Sequence, residues 1–258
     1  MKIPIVLTAF GTTTRANQTY DRIQAMVEAE FPGHRVLRAY SSRMVRNRIA
    51  SLEKEQVPGP AGVLEQLSRQ GHRWAVVQSL HLICGHEFYR LADDARQAPV
   101  RTSLGLPLLT SYRDHVRLAR ILARDPDLSG CQAVVLVGHG TDHPAWTTYL
   151  AFEKILRRQA GKHFHIGMLE GLPDRRQTIE QVLESGATRV CLMPFMLVAG
   201  LHFREDLMEG EDCWKAALEK AGLDVSLVPR GLGLNPAVGD IFCDHVRQAL
   251  EIIPGPAS

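Results

Sequence analysis

An internal repeat is the feature that most constrains this chain of 258 residues. Residues 5–12, IVLTAFGT, match residues 134–141, VVLVGHGT, and residues 77–88, VQSLHLICGHEF, match residues 192–203, LMPFMLVAGLHF. The halves meet at a cluster of Asp, Pro, Ser and Gly at 125–130, which predicts domains over 1–128 and 129–258. The repeated segments are spaced more widely in the first half, and we place the extra residues in a charged loop at 51–60 that follows a short helix.

Short apolar runs alternate with amphipathic segments in both halves. The runs predict strands at 3–10, 35–40, 75–80, 133–137, 165–169, 190–194 and 225–228, with a weaker strand at 103–109. The amphipathic segments predict helices at 20–31, 62–70, 146–158, 177–185, 212–221 and 236–252. This alternation is typical of α/β domains with parallel sheets covered by helices. We therefore predict two related α/β halves with a cleft between them.

Composition and charge exclude several classes of protein. The 30 basic and 28 acidic residues leave a formal charge of +2, and the arginines are dispersed, so no nucleic-acid partner is expected. No apolar run is long enough to span a membrane, and the first residues are too few for a signal peptide, which predicts a soluble, cytoplasmic protein. Exposed apolar helix faces would support a homo-oligomer, although no specific patch is visible.

The cysteines argue against a disulfide framework and against a structural zinc site. Their number, five, is odd, and no Cys-x-x-Cys pair occurs. Cys131 and Cys191 lie beside apolar runs, so we predict that they are small core residues.

Three side chains that can bind a metal occur in the second half at positions where the first half has other residues. His139 aligns with Phe10, Glu170 with Ser41 and His202 with Glu87. The three follow three different predicted strands, and the carboxyl ends of parallel strands line the ligand crevice of α/β sheets. Two imidazoles and a carboxylate suit Co²⁺, Fe²⁺, Ni²⁺ or Zn²⁺. Each residue alone could instead have a structural role: His139 as a turn residue, Glu170 as a helix cap and His202 as a core histidine.

The glycines recur in both halves, as expected for tight turns between a strand and a helix. Gly11 and Gly140 align, and so do Thr12 and Thr141. The turn that begins at Gly11 continues to Arg15 and offers N–H groups, hydroxyls and a guanidinium to an anionic ligand. No phosphate-binding loop, dinucleotide fingerprint or Gly-x-Ser-x-Gly elbow is found, so ATP, nicotinamide and that type of hydrolase chemistry are not supported.

Several segments together resemble the anaerobic sirohydrochlorin cobaltochelatases, over nearly the whole chain. They are residues 8–12 (TAFGT), 41–42 (SS), 78–88 (QSLHLICGHEF), 138–144 (GHGTDHP), 170–171 (EG) and 194–202 (PFMLVAGLH). The resemblance implies a class II chelatase fold, with two flavodoxin-like halves and the active site between them. It also implies that His139, Glu170 and His202 bind the metal.

The activity that the resemblance implies is insertion of Co²⁺ into sirohydrochlorin or a related tetrapyrrole, without ATP, in cobalamin or related tetrapyrrole biosynthesis. We expect His139 to accept the pyrrole protons. For the ring and its carboxylates we expect contacts from Phe10, Gly11, Thr12, Arg15, Ser41 and Glu87. A ferrochelatase that uses Fe²⁺ and a non-catalytic metal or tetrapyrrole carrier are the alternatives. A phosphohydrolase is disfavoured because no arginine precedes the Gly138-His139-Gly140 segment.

Overall fold

The computed structural model describes residues 2–12, 17–53, 57–200 and 203–254, with residues 52, 53, 203 and 204 described in their backbone alone. The strands are β1 (Ile5–Ala9), β2 (Val36–Tyr40), β3 (Trp74–Ser79), β4 (Arg101–Gly105), β5 (Ala133–Gly140), β6 (Phe164–Glu170), β7 (Arg189–Pro194) and β8 (Asp224–Leu227). The α-helices are α1 (Gln18–Glu30), α2 (Arg43–Glu53), α3 (Pro60–Arg69), α4 (His86–Gln97), α5 (Tyr112–Ala123), α6 (Thr147–Ala160), α7 (Arg175–Glu184), α8 (Trp214–Lys220) and α9 (Pro236–Glu251).

The strands form two parallel sheets of equal order. The first sheet runs β2-β1-β3-β4 and the second runs β6-β5-β7-β8, so each element of the repeat occupies the same place in its sheet. The central strands β1 and β5 are buried from Ile5 to Ala9 and from Ala133 to Gly138, as continuous apolar runs covered on both faces require. The predicted α/β class, with two related flavodoxin-like halves, is confirmed.

The compact units of the structure differ from the predicted division at residues 128 and 129. One unit comprises Met1–Thr110 with Asn235–Ser258, and the other comprises Ser111–Leu234. Helix α9 packs on α1, β3 and β4 of the first unit, where the Ser103 hydroxyl donates to the Ala249 carbonyl at 2.6 Å. Helix α5 packs on α6 of the second unit. Helix α5 comes from the first half of the sequence but belongs to the second unit, and α9 comes from the second half but belongs to the first unit. An amphipathic sequence shows that a helix covers a sheet without showing which sheet, so the repeat does not reveal this exchange.

The short helix expected before the charged loop at 51–60 is α2. Helix α2 lies between β2 and α3, and residues 171–188, all of which are described, contain only α7 between β6 and β7. Residues 51–53 of the predicted loop belong to α2, and residues 54–56 lie outside the described ranges.

The prediction that Cys131 and Cys191 are core thiols is wrong, because they form a disulfide with Cα atoms 5.9 Å apart. The two cysteines are partly exposed. Strands β5 and β7 are neighbours in the sheet, so Cys131, just before β5, meets Cys191 within β7 although 60 residues separate them. A count of cysteines cannot reveal a pair that the sheet order brings together. Cys84, Cys213 and Cys243 are free thiols.

In the described ranges, none of the helices combines the length and the apolar character needed to cross a lipid bilayer.

His165, in β6, is a polar residue in the core of the second unit. It is 1% exposed, and burial, reinforced by the charge of Arg157, lowers its pKa to about 4. A histidine in an unfolded chain titrates near 6.5. The unfolded state therefore binds this proton first as the pH falls, and the folded state loses stability between about pH 6.5 and pH 4.

Replacing His165 by Gln should flatten the pH dependence of stability in that window. We expect wild-type unfolding free energy to fall by up to about 3 kcal/mol more than that of His165→Gln between pH 6.5 and pH 4, measured by urea unfolding. The variant His72→Gln, at a partly exposed turn position, controls for loss of a histidine and should follow the wild type. Parallel curves for wild type and His165→Gln would refute the linkage.

Removing the disulfide should destabilise the second unit. We expect Cys191→Ser to lower the free energy of unfolding by about 2–4 kcal/mol under non-reducing conditions, because the closed loop restricts the unfolded chain. Reductant should bring the wild type to the same value, whereas Cys84→Ser, which removes a free thiol, should keep the reductant response. Peptide mapping that finds Cys131 and Cys191 separately alkylated without reductant would contradict the pairing.

Candidate functional site

The second unit places His139 and Glu170 at the carboxyl ends of two neighbouring strands. His139 is the penultimate residue of β5 and Glu170 is the last residue of β6, and both are exposed. The strands pair in parallel, with Gly140 opposite Glu170. The residue that follows His139 is thus the pairing partner of Glu170, and the two ligand-capable residues share one edge of the sheet.

Gly140 permits this pairing because no side chain fits between the strands at its position. Its φ is +86°, and a methyl group there would lie 1.7 Å from the carbonyl oxygen of Glu170. Gly138, one residue before His139, is also constrained, since a methyl group would lie 2.9 Å from the Met168 sulfur. Glycines on both sides of His139 therefore let β5 approach β6 closely, which positions the exposed imidazole and carboxylate.

His202, the third predicted ligand, lies outside the described residues, as does Arg15. Backbone hydrogen bonds hold the chain that leads to His202 up to Leu197. Phe195 donates its N–H to Val137 at 2.6 Å, and the N–H groups of Leu232 and Gly233 donate to the carbonyls of Met196 and Leu197. In the part of the chain that is described, which excludes His202, no three His, Cys, Asp or Glu side chains form a group that could hold a metal ion.

Two other histidine pairs considered from the sequence do not extend this site. His143 lies beyond the end of β5, and its Nδ1 accepts the Ala145 N–H at 3.1 Å as the cap of a 3-10 turn, Pro144–Trp146. His139 and His143 therefore do not share a helix. His163 and His165 lie at the start of β6, at the opposite end of the strand from Glu170.

The first unit has a hydrogen-bonded carboxylate at the corresponding edge of its sheet. The Ser41 hydroxyl donates to Glu87 Oε2 at 2.8 Å, and Arg90 donates to Glu87 Oε1 at 2.7 Å. Ser41 is itself fixed beside the end of β1, because its N–H donates to the Ala9 carbonyl at 2.8 Å. Glu87 aligns with His202, so the first half has a carboxylate where the second half has an imidazole. Both oxygens of that carboxylate are hydrogen-bonded.

Phe10 and Gly11 directly follow β1, next to Ser41. Phe10 is 47% exposed, so its ring is not part of the core. Gly11 has a φ of +103°, and a methyl group there would lie 2.9 Å from Val45 and 3.0 Å from Tyr40. Thr12 is partly exposed beside it.

His81 and Arg90 are further polar residues of this edge. His81 Nδ1 lies 2.8 Å from the Ser79 hydroxyl, and burial lowers its pKa to about 4, with Glu87 opposing the shift. The available signal for Arg90 is its spacing, since it lies three residues after Glu87 on α4, where the two side chains meet.

Comparison with known proteins identifies relatives over the full length of the fold. The family model described as Cobalt chelatase (CbiK) matches residues 4–251. A sirohydrochlorin cobaltochelatase of Salmonella typhimurium is 30% identical, with 98% of each chain covered. The sirohydrochlorin cobaltochelatase CbiKC of Nitratidesulfovibrio vulgaris is 33% identical, with 96% of this chain and 91% of that protein covered.

Solved structures share the fold at lower sequence identity. SirB of Bacillus subtilis with Fe³⁺ is 20% identical with a TM-score of 0.67, covering 96% of each chain. The sirohydrochlorin chelatase SirB of B. subtilis subspecies spizizenii in complex with cobalt is 19% identical with a TM-score of 0.66, covering 97% of this chain and 96% of the other. These likenesses support the two-sheet architecture.

The variant Gly140→Ala should disturb the pairing of β5 with β6 at Glu170. We expect a loss of about 2–5 kcal/mol in unfolding free energy, from the positive φ together with the collision with the Glu170 carbonyl. The backbone amide signals of residues 139–141 and 170 should shift in NMR spectra.

Gly171→Ala is the matched control for this variant. Gly171 also has a positive φ, of +87°, but the nearest atom to its methyl group would be 3.5 Å away. It should lose about 1–2 kcal/mol for the backbone conformation alone. Equal losses of unfolding free energy in the two variants would show that the positive φ alone, and not close approach to Glu170, explains the glycine at position 140.

Proposed function

The chain belongs to the Cobalt chelatase (CbiK) family, and on this premise we propose that it inserts Co²⁺ into sirohydrochlorin without ATP. The family model covers residues 4–251, and two relatives that match nearly end to end are named sirohydrochlorin cobaltochelatases. The product would serve cobalamin or related tetrapyrrole biosynthesis.

The observation that carries the proposal is the pairing of β5 with β6, which gives His139 and Glu170 a common, exposed edge. An imidazole and a carboxylate are suitable ligands for a borderline divalent ion, and the other positions of the ion would stay open. We propose that His202 completes the set. Incomplete coordination by the protein suits an ion that is to be delivered rather than retained.

Metal insertion exchanges one dication for two protons. Co²⁺ enters the ring, two pyrrole N–H bonds break, and both protons must leave. A neutral imidazole can either bind a metal or accept a proton. We propose that His139 accepts the pyrrole protons and passes them to solvent, which its exposed position at the end of β5 allows. His139, Glu170 and His202 would hold the ion as it loses water, and His139 would take up a pyrrole proton once the ion has left it.

The first unit would bind the tetrapyrrole. We propose that Phe10 packs against the ring and that Gly11, Thr12 and Arg15 receive its carboxylates. The Ser41–Glu87–Arg90 network supports this role, because Arg90 neutralises Glu87 and thereby reduces repulsion of an anionic ring. Fe²⁺, Ni²⁺ and Zn²⁺ suit the same ligand set, so the rates of insertion of the four metals must be compared to identify the preferred one.

Removing either proposed histidine should abolish insertion while the protein stays folded. We expect His139→Ala and His202→Ala each to lower turnover by about 10²–10⁴-fold, because each loses a ligand or a proton acceptor. The measurement is the visible spectrum of sirohydrochlorin mixed anaerobically with excess Co²⁺ and catalytic amounts of protein. Far-UV circular dichroism checks the fold of each variant.

His72→Ala is the matched control, since His72 lies in a turn before β3 and outside the proposed site. It should turn over like the wild type. A wild type whose spectrum stops changing after one equivalent would be a carrier instead of an enzyme. Multiple turnovers that survive in both site variants would retain the enzyme and refute the assignment of the histidines. Protoporphyrin with Fe²⁺, tested in parallel, should be the poorer pair, and a preference for it would indicate a ferrochelatase.

A further inference from the structure

The second unit contains an open cavity of about 850 Å³ at the end of its sheet remote from His139. We call it the basal cavity; the residues that define it here are Gln132, Arg157, Lys162, His163, Gln181 and Glu184. Gln132 and His163 directly precede β5 and β6, whereas His139 and Glu170 lie at the opposite ends of those strands. The eight residues of β5 separate the two ends by roughly 25 Å. The basal cavity is therefore distinct from the proposed metal site.

The lining of the basal cavity is cationic. Arg157 and Lys162 contribute two positive charges, and neither forms an ion pair with a described residue. Glu184, at the exposed end of α7, is the carboxylate among the lining residues. Arg157 is also attracted by Glu153 on its own helix, whose carboxylate accepts the Ile166 N–H at 3.1 Å. Even so, the guanidinium lacks a close carboxylate partner and is available to an anion.

A buried imidazole lies beside this lining. His165 is on the same face of β6 as His163 and lies beside Arg157 and Gln181. The ring is 1% exposed; neither ring nitrogen has a hydrogen bond of normal geometry, and the Gln181 side chain is within weak hydrogen-bonding reach.

Other groups around the cavity also favour a ligand that accepts hydrogen bonds. Gln132 accepts the N–H groups of Thr188 and Arg189 on its carbonyl oxygen, which leaves its amide N–H donors for another acceptor. The carboxyl end of α7 would repel an anion if its carbonyls were bare. They are capped instead, since the N–H groups of Ser185 and Gly186 donate to carbonyls of the last turn.

We propose that the basal cavity binds a small polyvalent oxyanion, phosphate or a carboxylate, through Arg157, Lys162 and the amide N–H groups of Gln132. The surplus of positive charge excludes a divalent cation as the natural occupant, because two cationic side chains would oppose it. Phosphate and polycarboxylates offer the same chemistry to the site, an oxygen-rich anion that accepts several hydrogen bonds.

The test is calorimetric titration of the full chain with inorganic phosphate and, separately, with citrate. We expect saturable binding of at least one anion, weakened about tenfold or more in Arg157→Gln and in Lys162→Gln, which corresponds to about 1.4 kcal/mol. Glu184→Gln should bind more tightly, because it removes the opposing carboxylate. The anion that binds more tightly shows whether the natural ligand is a phosphate or a carboxylate. Ring nitrogen signals of His165 in NMR spectra should shift on binding.

Arg158→Gln is the matched control, since Arg158 is the exposed neighbour of Arg157 on α6 and is not part of the lining. It should bind as the wild type does. Equal weakening in Arg158→Gln would indicate non-specific attraction and overturn the proposal, as would the absence of saturable binding of either anion. A His165 signal that responds to Co²⁺ or Zn²⁺ but not to anions would also overturn it. No chelatase assay enters this test, so its failure is distinct from that of the proposed function.

Discussion

The close parallel pairing of β5 with β6 is the interaction on which the proposed chemistry depends. Strand pairing alone brings an imidazole and a carboxylate from residues 139 and 170 to one edge of the sheet. The pairing at that edge requires a residue without a side chain, because the Glu170 carbonyl occupies the space that a methyl group of residue 140 would fill. Backbone geometry, more than any contact between the two side chains, sets their placement.

Much of this edge can be predicted from the sequence, because strand ends and tight turns have local signals. The repeat aligns Phe10 with His139, and the structure places both at the end of a central strand. Ser41 likewise follows β2 as Glu170 ends β6. The strand-end positions of these residues depend only on the order of residues along each strand, which can be read directly from the sequence. The α/β class follows for the same reason.

Features that depend on contacts between distant segments escape the same reasoning. The Cys131–Cys191 disulfide needs the order of strands in the sheet, and the Glu87 carboxylate needs the position of α4 relative to β2. Helix α5 had a local signal, the reciprocal hydrogen bonds between Ser111 and Asp114 at its start, yet its partner sheet is set by packing. The surroundings of the buried His165 could not be foreseen, because alternation along β6 does not show what α7 presents to it.

The membership of α9 in the first unit has a consequence for folding during translation. Helix α9 belongs to the first unit, where Val238, Ile241 and Phe242 are fully buried, but it is synthesised after the whole second unit. The second unit is one uninterrupted stretch of chain, so it has all its parts while the ribosome is still translating α9. The first unit must wait, with the apolar surface that α9 will cover exposed on β3 and β4. The half that is translated first is thus the half that is completed last, and its uncovered sheet is where a nascent chain would need a chaperone.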